Sequence, residues 1–226
     1  MTVPSPVRLF HITATANLAE ICATGHLCSK TVGQLVGINY QNIAHQGAQG
    51  ARAVRAVPNP PGGVVHDYVP FYFAPRSPML RAIEGGKVAG CQWRQADILH
   101  FETTVERVTA DNYPFVFYDR NATLAFSVPY TDLAHLNAVA WDLLTEAPQL
   151  DGFCKYWQNK MDVPRYADRM ERRQAEFLVK GTVPLNKLTK IGVIDERKAT
   201  EVRHILNQVG VDLSVEVKSD WYFLEQ

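Results

Sequence analysis

Four cysteines in 226 residues, Cys22, Cys28, Cys91 and Cys154, are too few for a disulfide framework and too unevenly spaced for the paired ligands of a zinc site. They read as reduced thiols, and no metal is expected. Charge of one sign is lacking too: 23 Lys and Arg balance 23 Asp and Glu, which excludes a polycation that holds nucleic acid by bulk charge alone. No apolar run approaches the roughly 20 residues of a membrane span. MTVPSPVR at the start has no apolar centre of the kind a signal peptide needs. A cytoplasmic protein without membrane contact is the expectation. With no repeat, linker or low-complexity tail, residues 1–226 read as one domain, a monomer, in which 46% hydrophobic residues suffice for a core without staples.

What charge there is lies unevenly. Residues 155–180 hold seven basic and four acidic side chains, and near their end, in MERRQAEFLVK, Glu176 opens a short apolar run. Period-two geometry puts Ala175, Phe177 and Val179 on one face and Glu176 with Leu178 on the other, so the carboxylate has apolar company and needs partners. The plainer alternative is an edge-strand glutamate in water, paired with Arg172 or Arg173. Arg165, Arg169 and Arg173, four apart, predict one helical face that is either solvated or in contact with phosphate.

Elsewhere the pattern predicts a mixed α+β chain. VRLFHI at 7–12 is a strand ending at His11; Asn17 and Glu20 have capping-box spacing for the helix that follows, which Gly25 closes. Residues 31–63 are too polar for core and read as a lid, with part of 35–43 helical, a turn at 58–63, and Arg52 and Arg55 as its cations after Lys30. HDYVPFYF at 66–73 is a strand that Pro70 confines to an edge or a bulge. Ser77, Pro78 and Gly85 bracket a helix. Strands are predicted at 97–105 and 113–118, and a helix over 132–146. Asp195 caps a last helix with Ala199, Val202, Ile205, Leu206 and Val209 inward and Gly210 at its end, before the strand VDLSVEVK.

Six stretches together carry a resemblance: HDYVPFYFAPRSPML at 66–80, RLFHIT at 8–13, ARAVRAVPNPPGG at 51–63, CKYWQN at 154–159, RRQAEFLV at 172–179 and WYF at 221–223. Taken in chain order they resemble the DarT family of DNA ADP-ribosyltransferase toxins over most of the chain. The resemblance implies an ADP-ribosyltransferase-like split β-sandwich of two small sheets with surrounding helices, and NAD as co-substrate in the cleft between them. It implies Glu176 as the catalytic carboxylate, and His11, Thr13 and Asn17 on the NAD ribose. Tyr72 would lie against nicotinamide and Arg52 on the NAD phosphates, assisting catalysis. Where the family pattern has a second arginine before Arg52 this chain has Ala51, which leaves Arg55 as an alternative.

The acceptor implied is single-stranded DNA, gripped by Arg76, Met79, Arg172 and Arg173, with either thymidine or guanosine modified, and the partner is an antitoxin with a de-ADP-ribosylating hydrolase domain. Two other functions remain open on sequence: a catalytically weak protein that binds NAD or nucleic acid, and a metal-independent nuclease using His11 and Glu176.

Overall fold

The computed structural model describes residues 2–44 and 46–224. Eight strands form its main sheet: β1 (Arg8–Ala14), β2 (Tyr68–Tyr72), β3 (Ile98–Thr104), β4 (Phe115–Tyr118), β5 (Pro129–Tyr130), β6 (Glu176–Lys180), β7 (Lys190–Val193) and β8 (Val215–Val217). Their spatial order is β8-β7-β3-β1-β2-β6-β4-β5. Only β7 and β8 run parallel. Two two-stranded ribbons stand apart, His26–Cys28 with Thr182–Pro184 and Gln149–Leu150 with Phe153–Cys154.

The expected pair of small sheets is therefore corrected to one continuous mixed sheet. The reason lies in a single register pair: β1 is bonded to β3 along its whole length, from Arg8↔Thr104 to Ala14↔Ile98, and β2 to β6 from Tyr68↔Lys180 to Tyr72↔Glu176, whereas β1 meets β2 only at Phe10↔Tyr72. Beyond that pair the two halves splay apart. Pro70 sits beside the splay. Its carbonyl accepts from His11 Nδ1 at 2.8 Å, and since the N–H and C=O of one strand residue face the same neighbour, the amide proline lacks would have met a gap. Pro70 thus occupies an interior strand, contrary to the edge or bulge expected.

Aromatic residues alternate inward and fill the sheet's face. Phe10, Phe71, Phe73, Phe101, Phe117 and Phe177 are all fully buried, and Phe177 stacks on Phe115 and Phe117 with ring centroids 5.1 and 6.2 Å apart. Trp221 lies flat against Gly192, where any side chain would overlap the indole. The C-terminal stretch is thereby locked onto β7.

Helix ends follow their caps. Ser77 accepts from Leu80 N ahead of the helix Pro78–Glu84, and Asp195 accepts from Lys198 N ahead of the helix Glu196–Val209, which a left-handed Gly210 closes. In that last helix Val209 is outward rather than inward, at 39% exposure. The helix predicted over 132–146 is two short pieces, a 3-10 turn Leu133–Ala138 and the helix Trp141–Leu144, because Val139 between them is extended. Of VDLSVEVK only Val215–Val217 pairs as strand. The polar segment 31–63 carries more helix than its composition suggested, in Lys30–Leu35 and Gln46–Val54, the former ending where helix had been expected to begin. Among the described residues no helix is long and apolar enough to cross a membrane.

Candidate active site

Glu176 opens β6 between β2 and β4, paired with Tyr72 on one side and Tyr118 on the other. It is 0% exposed. That rules out the edge-strand alternative, and its partner is neither Arg172 nor Arg173: Arg52 Nη1 donates to Glu176 Oε2 at 2.8 Å. The second oxygen, Oε1, accepts from no described group. Burial, reinforced by the Glu176 charge, pushes the Tyr72 phenol well above its ordinary range, and burial also raises Tyr118. Both phenols stay neutral at physiological pH.

Arg52 reaches this carboxylate from the last turn of the helix Gln46–Val54. Burial works against its charge, but Glu176 outweighs that and the net shift is upward. While Nη1 is committed to Glu176, Nη2 is buried and donates to no described acceptor. The guanidinium therefore has one prong in use and one open. Ala51 is exposed, so the residue preceding Arg52 adds nothing to this contact. Arg55 turns elsewhere, donating from Nη2 to Leu124 O at 3.2 Å.

His11 and Thr13 enter from β1. Because a carbonyl can only accept, the bond to Pro70 O fixes the proton on His11 Nδ1 and leaves Nε2 as an acceptor in the neutral ring. Burial lowers the His11 pKa, partly opposed by that same bond. The ring is neutral at physiological pH. Asn17 does not cap its helix; its Nδ2 donates to Thr13 Oγ1 at 2.9 Å and to Gln41 O at 3.0 Å, and its Oδ1 accepts from Gln41 N at 2.7 Å. Glu20, the other half of the expected capping box, accepts from Asn39 N at 3.2 Å. Residues that looked like a helix cap instead pin the stretch 39–41 over the cleft.

His11, Thr13, Asn17, Arg52, Tyr72 and Met79 line one cleft. The sequence reasoning missed further wall residues: Lys30, Tyr40, Gln41, Gln49, His66, Asn121 and Thr123. A signal for His66 was present in HDYVPFYF, whose first two residues lie outside the strand. His66 Nε2 contacts Gln49 Oε1 at 3.0 Å, tying the Arg52 helix to the foot of β2. The neighbouring Asp67 accepts from Thr31 Oγ1 at 2.7 Å and from Val64 N at 2.8 Å. A side chain on Gly63 would collide with that carboxylate, which is why the turn at 58–63 ends in glycine.

The four residues assigned to DNA fare differently. Met79 lines the cleft. Arg172 is half-exposed and paired with Asp168 at 2.9 Å. Arg76 and Arg173 are each only 2% exposed. Nor do Arg165, Arg169 and Arg173 share a helical face: Arg165 lies in a 3-10 turn, Arg169 begins the four-residue helix Arg169–Arg172, and Arg173 follows it. Arg169 is buried and bonded to Glu146 at 3.2 Å, while Arg165 is exposed. Among the described residues no three His, Cys, Asp or Glu side chains are grouped to hold a metal ion.

Glu176, itself outside the cleft lining, is thus joined to the cleft through Arg52, which lines it. A sequence profile described as "ssDNA thymidine ADP-ribosyltransferase, DarT" matches residues 10–223. A DNA ADP-ribosyl transferase of Thermus aquaticus is 36% identical over 226 residues, spanning 99% of this chain and 92% of its own. Thermus sp. 2.9 DarT in complex with ADP-ribosylated ssDNA superposes with a TM-score of 0.86 at 34% identity, covering 99% of each chain. The same protein in complex with NAD+ gives 0.81 at 33% identity, covering 98% of this chain and 100% of the other. The chain belongs to the DarT family, and it is an NAD-dependent DNA ADP-ribosyltransferase of the toxin type.

Proposed function

We propose that this chain, acting over 1–226 as a monomeric cytoplasmic toxin, moves ADP-ribose from NAD to a thymine base of single-stranded DNA, with Glu176 and Arg52 as the chemical pair. The observation that carries the reading is the unequal state of their four polar atoms: one bond joins Arg52 Nη1 to Glu176 Oε2, while Arg52 Nη2 and Glu176 Oε1 have no described partner. The free oxygen accepts the 2′-hydroxyl of the nicotinamide ribose, and the free nitrogen donates to the NAD diphosphate. A guanidinium fork suits both.

The reaction breaks the ribose C1′–nicotinamide bond, whose electron pair leaves with nicotinamide, and cationic character grows on the ribose. Glu176 stabilises that charge through the 2′-hydroxyl, an interaction that strengthens only in the transition state. Thymine has one ring N–H, at N3. As N3 bonds to C1′, its proton passes to Glu176 and then to solvent. His11 Nε2 accepts from a ribose hydroxyl and Thr13 offers its own, while Asn17 keeps Thr13 and residues 39–41 in place. Tyr72, a neutral phenol, lies against nicotinamide.

Met79 and Arg172 meet the DNA, Met79 as an apolar surface for a base and Arg172 on a phosphate, with Arg76 and Arg173 behind them. A single strand supplies the base without the few kcal/mol needed to unpair a duplex. Unregulated transfer of this kind blocks templates, which fits a partner antitoxin with a hydrolase that removes ADP-ribose. No metal enters this chemistry.

The test is a mass measurement on single-stranded oligonucleotides, each lacking one base in turn, incubated with enzyme and NAD. One ADP-ribose is added to every oligonucleotide except the one without thymine. Addition to the thymine-free strand, or cleavage of any strand without NAD, would overturn the reading.

A further inference from the structure

We propose that Arg76, Arg173 and the indole N–H of Trp157 form a buried seat for one phosphate-type oxyanion, set behind the catalytic end of the sheet. Arg173 is 2% exposed, and none of its Nε, Nη1 and Nη2 donates to a described acceptor. Arg76, also 2% exposed, donates from Nη2 to Cys154 O at 2.6 Å and has nothing for Nη1. Trp157 Nε1 is likewise buried without an acceptor.

These donors belong to one cluster. The Arg173 guanidinium lies over the Trp157 ring, 5.2 Å from its centroid; Trp157 packs edge-on against Phe223 at 5.8 Å; and Arg76 lies 5.9 Å from that same Phe223. Two further cations stand near: Arg81, 5.2 Å from the Phe223 centroid, and Arg169, which is bonded to Glu146 and lies over the face of Tyr166.

Charge decides what the seat takes. Among the described residues Arg173 has no partner for any of its three nitrogens, and the one carboxylate that acts on Arg76, Asp220, does so through space without an ion pair. Burial, followed by repulsion from Arg76, pushes the Arg173 pKa down to about 10, which leaves it charged near neutral pH; burial also lowers Arg76, opposed by Cys154 and Asp220. Two like charges buried together with no carboxylate in ion-pair contact are unfavourable, and stacking on Trp157 offsets only part of that. A metal cation would add a third like charge, and a neutral guest would leave both charges unbalanced. A tetrahedral oxyanion satisfies both forks and the indole N–H together.

The placement gives the seat a consequence. Arg173 lies three residues before Glu176 and Arg76 four after Tyr72, and Glu176 and Tyr72 are the facing pair at the end of β2 and β6. One bound anion braces both chain segments that lead away from the catalytic pair. The oxyanion comes from either of two sources, free inorganic phosphate or a phosphodiester of the DNA strand; only the second rests on the DNA reaction proposed above.

Thermal unfolding of the full chain, without NAD or DNA, tests the seat independently of activity. Inorganic phosphate is titrated at constant ionic strength against chloride. The melting midpoint should rise saturably, by about 5–10 °C at a hundredfold excess over Kd. Arg173→Met should melt no lower than wild type in chloride and should lose the response; Arg76→Met, which also gives up the bond to Cys154 O, should lose the response as well; Trp157→Phe and Arg173→Lys, milder changes, should keep the fold and weaken it.

In a second arm, single-stranded oligonucleotides carrying one uncharged methylphosphonate linkage, placed at each position in turn, are scored for binding to wild type and Arg173→Lys. If the strand supplies the anion, one position weakens wild-type binding about tenfold or more and barely affects the variant; if phosphate is resident, only the first arm responds. Either result supports the seat. Equal phosphate responses in wild type and Arg173→Met, or no response to phosphate together with no sensitive linkage, would overturn it.

Discussion

Removing Arg52 should harm the fold more than neutralising Glu176, although the two share one bond. In Arg52→Ala the Glu176 carboxylate, its side chain 1% exposed, loses the one donor it has while its other oxygen is already without a partner. A buried charge stripped of its partner typically costs 3–5 kcal/mol. Arg52 is itself 14% exposed and stands at the cleft wall, so water entering after truncation recovers some of this and the lower end, about 3 kcal/mol, is expected. At roughly 2–4 °C per kcal/mol for a chain of this size, the midpoint should fall by about 6–12 °C.

Glu176→Gln leaves the amide oxygen to accept from Arg52 and exchanges a charged hydrogen bond for a weaker one, a loss of about 1 kcal/mol, or some 2–4 °C. In the double variant the buried group left without Arg52 is a neutral amide rather than a charge, so it should be more stable than Arg52→Ala alone. The assay is equilibrium urea unfolding of all four proteins at neutral pH, analysed as a double-mutant cycle. Additive effects, or a Glu176→Gln loss equal to that of Arg52→Ala, would refute the view that Arg52 is what stabilises this carboxylate inside the sheet.

Asn17→Ala removes three hydrogen bonds that hold Thr13 and residue 41; KM for NAD should rise about tenfold with kcat changed much less, and amide exchange at residues 39–44 should accelerate, both measurable on one preparation. Acid stability has a named contributor in Asp151. Burial would raise its pKa, but hydrogen bonds from Arg8 at 2.8 Å and Trp221 Nε1 at 2.7 Å prevail and lower it. Its stabilisation is therefore full above the ordinary carboxylate range and is lost as pH falls through the depressed folded value. Asp151→Asn should cost about 1 kcal/mol at neutral pH and flatten the fall in melting midpoint below pH 4, with no effect on the slope above pH 6.

The cleft was more legible in the sequence than the sheet. His11, Thr13, Arg52 and Tyr72 fall in short blocks whose chemistry is local, a strand end or a helix turn, and each lines the cleft. Sheet continuity rests on one pair 62 residues apart, Phe10↔Tyr72, and nothing in either strand's pattern announces it. Pro70 misled for the same reason, since its lost amide faces a gap that exists only once β1 has splayed away.

Asn17 shows how one spacing can serve two physical ends: asparagine three residues before glutamate suits a capping box, yet both side chains turn to the backbone at 39–41, a contact across 19 to 24 residues. The burial of Arg76 and Arg173, both expected to grip DNA, was not legible either, because it depends on Trp157 and Phe223 packing beside them from distant parts of the chain. The base was not legible at all; no residue pattern distinguished thymidine from guanosine, and the family match carries that step.

Single-turnover labelling of single-stranded DNA by Glu176→Gln, with NAD binding measured on the same preparation, tests the central claim most directly. The substitution keeps shape and removes the charge that stabilises the ribose cation, so the chemical step should slow by 10²–10⁴, about 3–5 kcal/mol, while NAD affinity changes less than threefold. A labelling rate within a few-fold of wild type would contradict the claim.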